Sequence, residues 1–351
     1  MPSGVLSTGV FAMNPIFARA LFATAVMFAA PAEAKYISFD PTGSNFTMPT
    51  FISDKGAIVG FWFDGSFYHG FVRGTGGTIT SFDPTGSENT TPLGINDKGV
   101  IVGAYQDVLG NNQIAHGFIR NARGKITNFD APGSGGYTLI RAIDDTNTFT
   151  GYYTDNLGHD HGFVQDAAGT FTSFDPQNAE DTYPWAMNEA GTITGYYYCD
   201  GEDGCGPGVS EGFIRASNGT IITFEVQTGA YPVGINASGV VTGTYTDDVF
   251  QVHGFVRAAG GEVTTFDYPG IPSGTYPEGI NDDGNVVGYW FDSQNNVHGF
   301  ERTAAGKFKL IQPKNPPATN SQTVGINNKG QIAGFYVVSP SDGLHGFLDT
   351  K

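Results

Sequence analysis

The sequence predicts an all-β protein: a seven-bladed β-propeller with four antiparallel strands per blade, its last blade closed by the N-terminal strand. Three observations carry this expectation. First, a unit of about 45 residues repeats along the chain, the signature of blades or solenoid turns. Gly-Ile-Asn recurs at Gly94, Gly234, Gly279 and Gly325, with looser copies at Phe51-Ile52-Ser53, Ala142-Ile143-Asp144 and Ala186-Met187-Asn188. His-Gly-Phe recurs from His69, His116, His161, His253, His298 and His345, and Glu211-Gly212-Phe213 fills the remaining place. Second, the composition suits many short strands joined by turns: 51 Gly, 28 Phe and 16 Tyr, with helix formers scarce. Third, one unit is split between the chain ends. Lys35–Asp40 matches only a fourth strand, while Ser321–Leu348 matches only the first three. Pairing the two completes a blade and leaves no open edge.

The elements follow in chain order. Met13 to Ala34 carries one Arg, an apolar run from Ala20 to Ala30 and the small-x-small ending Ala32-Glu33-Ala34. This reads as an export signal over residues 1–34, with residues 1–12 as an upstream extension, and it places the mature chain from Lys35 to Lys351 outside the cytoplasm, secreted or periplasmic. Its apolar run is short for a membrane span. The unit Thr90–Asp130 illustrates the rest. A strand ending in Gly94-Ile95-Asn96 meets the tight turn Asn96–Gly99. Val100–Tyr105 and, after a longer loop, Ala115–Arg120 supply the second and third strands. Lys125–Asp130 is the fourth, closing on Phe129-Asp130. No segment has a helical period long enough to compete.

Charge narrows the partners. The net charge is −17, and removing Arg19 and Glu33 with the leader leaves it unchanged. Such a surface repels nucleic acid and anionic lipid. Cys199 and Cys205 lie close in sequence and, outside the cytoplasm, are expected to form a disulfide that holds one turn. Between them, Asp200, Glu202 and Asp203 form an acidic loop with some calcium-binding character but without the spacing of a known calcium loop. No other metal or cofactor is expected. His159-Asp160-His161 offers two ligands, too few for a metal site.

Recurrence separates scaffold from site. Six of the seven histidines occupy one repeated position, so they read as structural rather than as a metal ring. Ligands must lie within about 2.2 Å of one metal. Acidic residues near the end of the second strands (Asp64, Asp107, Asp155, Asp247 and Asp292) are their expected partners; Cys199 and Glu211 replace the pair in one unit. The second-strand aromatics Trp62, Tyr105, Tyr153, Tyr197, Tyr245, Trp290 and Tyr336 read as packing between blades. Departures from the repeat are better candidates for function. The place before Gly-Ile-Asn holds Thr50, Leu93, Arg141, Trp185, Val233, Glu278 and Val324. Arg141, Trp185 and Glu278 do not suit simple packing there and are candidate ligand-binding residues. Tyr183, Tyr231 and Tyr276, two positions earlier, are candidates for a pocket rim on the face carrying the longer loops.

The repeats resemble the bacterial extracellular repeat family named for its His-Ala-Phe motif (HAF repeats), here written His-Gly-Phe beside Gly-Ile-Asn and the Val102-Gly103-Ala104-Tyr105 type of strand. The resemblance spans nearly the whole mature chain and implies repeat type and secretion. It brings no catalytic residues with it. The first functional expectation is a monomeric binding protein for an extracellular glycan or protein. The second is a polysaccharide lyase, with Arg141 neutralising a uronate carboxylate and Tyr153 or His161 taking the proton. The third is a structural matrix protein. No nucleophile elbow, phosphate loop, dinucleotide fingerprint or His-Glu-x-x-His occurs.

Overall fold

A computed structural model describes residues 35–107, 114–199, 201, 209–271, 274–339 and 341–351. The leader expected over residues 1–34, the bridging partner Cys205 and the acidic loop residues Asp200, Glu202 and Asp203 lie outside them. The described residues form twenty-eight strands and no helix, so none of them forms a helix long and apolar enough to cross a membrane.

The strands pair antiparallel in consecutive fours. Ser87–Ile95, Ile101–Asp107, Ala115–Arg120 and Ile126–Phe129 form one such group. Groups built the same way begin at Phe46, Tyr137, Ala179, Ala230 and Thr275. The last group takes three strands from Asn320–Ile326, Ile332–Val337 and His345–Asp349. Its fourth is Tyr36–Phe39 from the other end of the chain, with Phe39 opposite Gly346. Single parallel bridges, Tyr68 to Asn89 and Tyr137 to Ala115, join neighbouring groups. The fold is thus all-β and propeller-like.

The core lies between groups rather than inside any one of them. The phenylalanines of the repeated Gly-Phe pair, Phe71, Phe118, Phe163, Phe213, Phe255, Phe300 and Phe347, are all fully buried. Each such ring contributes about 1.5–3 kcal/mol by leaving water. Val59 of one group packs with Ile95, Ile101, Tyr105 and Phe118 of the next. Phe39, Ala333 and Leu348 of the last group pack with Ile52, Ile58 and Phe71 of the first. Arginines ending third strands lie over the fourth-strand phenylalanine of the preceding group, as Arg120 does over Phe82 at 4.7 Å and Arg73 over Phe39 at 5.2 Å.

The asparagine of Gly-Ile-Asn does two jobs at once. Asn96 Oδ1 accepts from the backbone N–H groups of Lys98 and Val100, which shapes the tight turn, while its Nδ2 donates 2.9 Å to the Asp144 carbonyl of the next group. The same amide link runs from Asn188 to Asn236, from Asn236 to Asn281, from Asn281 to Asn327 and from Asn327 to Ser53. Ser53 and Asp144 lack the amide N–H₂ and cannot donate it.

Every inner strand breaks register at the residue before Gly-Ile-Asn or its counterpart, and the seven residues skipped there are Thr50, Leu93, Arg141, Trp185, Val233, Glu278 and Val324. Two of these strands break register a second time, at Glu88 and Glu180. Such a β-bulge leaves one residue unpaired and re-aims its side chain. A second-strand glycine faces the distortion. A Cβ on Gly103 would stand 2.2 Å from the Thr91 carbonyl oxygen, and one on Gly151 would stand 1.9 Å from that of Leu139. No side chain fits there without moving the inner strand. Gly103→Ala is therefore expected to lower unfolding stability by about 3 kcal/mol. Gly260→Ala, where nothing lies within 4 Å, should stay within about 0.5 kcal/mol of wild type. Chemical denaturation of both variants checks the pair.

Candidate binding site in the central cavity

The bulges converge. All seven residues skipped before Gly-Ile-Asn or its counterpart line one cavity of about 320 Å³, which the inner strands of every group enclose. At its far end stands a collar of Ile52, Ile95, Ile143, Met187, Ile235, Ile280 and Ile326. Beyond the collar, among the tight turns, a smaller cavity of about 160 Å³ is ringed by Asp54, Asp97, Asp145, Glu189 and Asp282. Several of these carboxylates accept a backbone N–H from the neighbouring turn, as Asp145 does from Asp97 at 2.8 Å and Glu189 does from Asp145 at 2.8 Å. Sequence reasoning did not single out this acidic ring, although the residue after Gly-Ile-Asn is acidic often enough to have signalled it.

Arg141, Trp185 and Glu278 come together in the larger cavity. The Arg141 guanidinium lies 3.5 Å from the centre of the Trp185 ring. Trp185 in turn packs on Tyr196 at 6.1 Å. Neither Arg141 nor Glu278 makes a hydrogen bond or ion pair among the described residues, and protein surrounds both. They keep some water-accessible surface because they face the cavity. Burial pulls the Arg141 pKa below its ordinary value, while the charge of Glu278 works the other way. Burial pushes the Glu278 carboxyl up to about 7, against the opposing charge of Arg141.

The three tyrosines expected at a rim pack instead against neighbouring rings and do not line the cavity. Tyr183 stacks on Tyr196 at 5.1 Å and donates its hydroxyl to Asp160 Oδ2 at 2.8 Å. Tyr231 meets Tyr196 edge-on at 5.2 Å. Tyr276 stacks on Tyr289 at 4.9 Å. Tyr152 also meets Tyr183 edge-on, at 5.0 Å.

The structure does not bring Arg141, Tyr153 and His161 into one cleft. Tyr153 is buried in the core between groups, its hydroxyl 3.1 Å from Ser173 Oγ. His161 sits between two carboxylates, Asp175 2.8 Å from Nδ1 and Asp155 3.6 Å from Nε2. This arrangement recurs: it bears out the expected pairing for Asp64, Asp247 and Asp292 and adds a second carboxylate to most of the histidines. The second-strand or loop acid does face Nε2, at 3.3 Å for Asp64 and His69 and 3.3 Å for Asp247 and His253. The shorter contact is to Nδ1 and comes from the Phe-Asp aspartate that ends the fourth strand: Asp83, Asp130, Asp175, Asp267 or Asp40. The recurrence of Phe-Asp was the available signal. The slot aromatic lies against the same imidazole, as Trp62 does on His69 at 4.6 Å. Where Glu211 replaces the histidine, it accepts the Tyr197 hydroxyl at 2.5 Å, and the buried Cys199 sulfur lies 3.9 Å away. No cluster of three or more His, Cys, Asp or Glu among the described residues is arranged to hold a metal.

Comparisons with known proteins give fold and nothing finer. No protein-family model matches the chain, and no curated protein matches it. Solved structures do. The β-propeller domain of the trilobed protease from Pyrococcus furiosus, described as having an open velcro topology, aligns at a TM-score of 0.59 with 12% identity, covering 87% of this chain and 95% of that one. A streptogramin B lyase aligns at 0.55 with 12% identity, covering 90% and 98%. A catalytically inactive virginiamycin B lyase from Staphylococcus aureus, solved with quinupristin, aligns at 0.55 with 16% identity, covering 90% and 99%. The chain has a β-propeller fold.

Two outcomes follow from the electrostatics. Burial alone would lower the His161 pKa, but the hydrogen bonds and charges of Asp175 and Asp155 outweigh it and hold the imidazole above its ordinary value. This stabilisation is full below the ordinary histidine pKa and fades as pH rises through the folded value. Asp175→Asn should bring the His161 pKa down, read by NMR titration. Glu278 moves stability with pH in the same direction, through a cost that appears at high pH rather than a gain that is lost there. Its folded form holds a proton between the ordinary carboxyl pKa of 4.5 and about 7, so the carboxyl's burial costs nothing at pH 4 and up to about 3 kcal/mol above pH 7. Glu278→Gln should therefore raise the melting temperature more at pH 8 than at pH 5.

Proposed function

We propose that this chain is a secreted propeller of the HAF-repeat type, its four-stranded groups closing as seven blades, and that it binds an extracellular glycan through the central cavity. One observation carries the reading. The bulged positions place a cation, an indole and a carboxyl in one enclosed cavity, and the cation and carboxyl have no hydrogen-bonding partner among the described residues. Buried polar groups normally have partners. A cation held by stacking alone, facing a cavity, has its donors free for a ligand.

The rest of the molecule agrees with a binding role better than with catalysis. The histidines that looked most like acid–base groups are each occupied by carboxylates and aromatic rings. The cavity volume is at the small end of ligand pockets, which suits one sugar ring more than a length of chain. Its walls are mixed: aliphatic side chains from every group, with Thr50, Phe51, Arg141, Trp185, Glu278, Gln322 and Phe335 as the polar and aromatic ones.

Screening of the purified chain on a glycan array, followed by calorimetry on the hits, tests the reading. Trp185→Ala should weaken binding of any hit at least tenfold, a loss of about 1.4 kcal/mol or more, with the melting profile retained. Wild-type affinity in that variant would move the site out of the cavity.

A further inference from the structure

The cavity is asymmetric in charge along its length, and that asymmetry selects a ligand. At the tight-turn end stand five carboxylates, Asp54, Asp97, Asp145, Glu189 and Asp282. Next comes the wholly apolar collar. Arg141 and Glu278 lie on the other side of that collar, each two residues before its own collar isoleucine. An anion approaching through the tight turns meets like charges first and then an apolar ring. An anion approaching from the other end reaches Arg141 without passing the carboxylates or the collar.

Arg141 is the focus of this arrangement. Its guanidinium carbon lies over Trp185, 3.5 Å from the ring centre, a cation–π contact that holds the group in place without using its N–H donors. No described residue takes those donors. The groups facing it are Glu278 across the cavity, Tyr137 on its own strand, and Tyr152 and Tyr196 from the neighbouring second strands. Burial raises the phenols of Tyr152 and Tyr196, the latter to about 12, so neither supplies a negative charge near neutral pH. Glu278 faces Arg141 and the phenol of Tyr289, which burial raises as well. The only carboxyl opposing Arg141 from within the cavity, among the described residues, is thus Glu278.

We infer that the cavity takes the carboxylate of a sugar acid, a single uronate residue entering from the long-loop end, with its carboxylate on Arg141 and with Glu278 as a competing internal anion. This rests on the reading of the cavity as a glycan site and names the class of sugar. The charge count supports one carboxylate rather than a phosphate or sulfate cluster. With Glu278 protonated the cavity carries one positive charge, and one carboxylate balances it. With Glu278 ionised the cavity is already neutral, and a ligand anion must be held against the Glu278 charge. Because the Glu278 carboxyl titrates near 7, affinity for a uronate is expected to fall as pH rises through that value. A uronate itself, with a pKa of about 3.5 like other simple carboxyls, stays ionised throughout.

Calorimetry on the full chain decides this. D-galacturonate and D-glucuronate are titrated at pH 6 and pH 8.5, with D-galactose and D-glucose as uncharged counterparts and tri-galacturonate as the oligomeric form. Uronates should bind at least tenfold more tightly than the neutral sugars at pH 6, and their affinity should fall at least fivefold at pH 8.5. Arg141→Gln should erase the preference for uronates. Glu278→Gln, which keeps the size of the side chain, should hold uronate affinity constant between the two pH values. Tighter binding of the trimer would identify a polymer end as the natural form, and equal binding a free sugar acid. Equal affinity for charged and neutral sugars would overturn the inference while leaving a glycan site in the cavity. An undiminished pH dependence in Glu278→Gln would overturn the role of Glu278 even if Arg141→Gln failed to fold. If no sugar of either kind binds, the glycan reading falls with it.

Discussion

The closest constraint in this molecule is the approach of each inner strand to a glycine on the strand beside it. At Gly60, Gly103, Gly151, Gly195, Gly243, Gly288 and Gly334 a methyl group would sit 1.9 to 2.2 Å from an inner-strand carbonyl oxygen. Because hydrogen occupies that place, the inner strand can fold inward by one residue. The bulge that results is why one side chain per group leaves the sheet ladder and faces the cavity. The cavity, its lining and any ligand chemistry it supports all follow from a contact that tolerates no side chain.

The electrostatic layout also depends on depth. The chain is strongly acidic overall, yet its larger cavity encloses one guanidinium and one carboxyl. On the outside, carboxylates serve turns and histidines, each satisfied by backbone N–H groups or an imidazole, as Asp64 is by Ser66, Phe67 and His69. Inside the cavity those partners are missing, so burial rather than hydrogen bonding sets the proton affinity of Glu278. The same residue type therefore acts as a turn former at the surface and as a titrating group near neutral pH in the cavity.

Recurrence within the chain was a good guide to scaffold and a partial guide to site. The His-Gly-Phe histidines are held by carboxylates, but for five of the six the nearer partner comes from Phe-Asp in the fourth strand, fourteen residues on in the case of His69 and Asp83, while among the described residues His298 keeps Asp292 alone. The second-strand acids were chosen for nearness across one loop. Strand pairing sets the distance instead, and it brings Phe82 opposite Gly70. The rim tyrosines show the same limit. Tyr183, Tyr231 and Tyr276 are two residues from the cavity-facing positions in sequence, a place from which Met48 and Gln322 of other groups do line the cavity. They pack against neighbouring rings while Arg141, Trp185 and Glu278 face the cavity.

By itself the sequence determined the repeat, the four-strand unit and the split of the last unit between the chain ends. Those depend on local signals, namely turn residues, strand composition and spacing, that a reader can count. It also marked the position where Arg141, Trp185 and Glu278 break the repeat. Tertiary structure decided that these three share one cavity, although their groups lie far apart in the chain, and that Tyr153 and His161 are not part of it. Co-location depends on how the groups are arranged around the cavity and on a one-residue bulge. Neither is encoded in the residues at the site itself; the first depends on packing between groups and the second on a glycine in the adjacent strand.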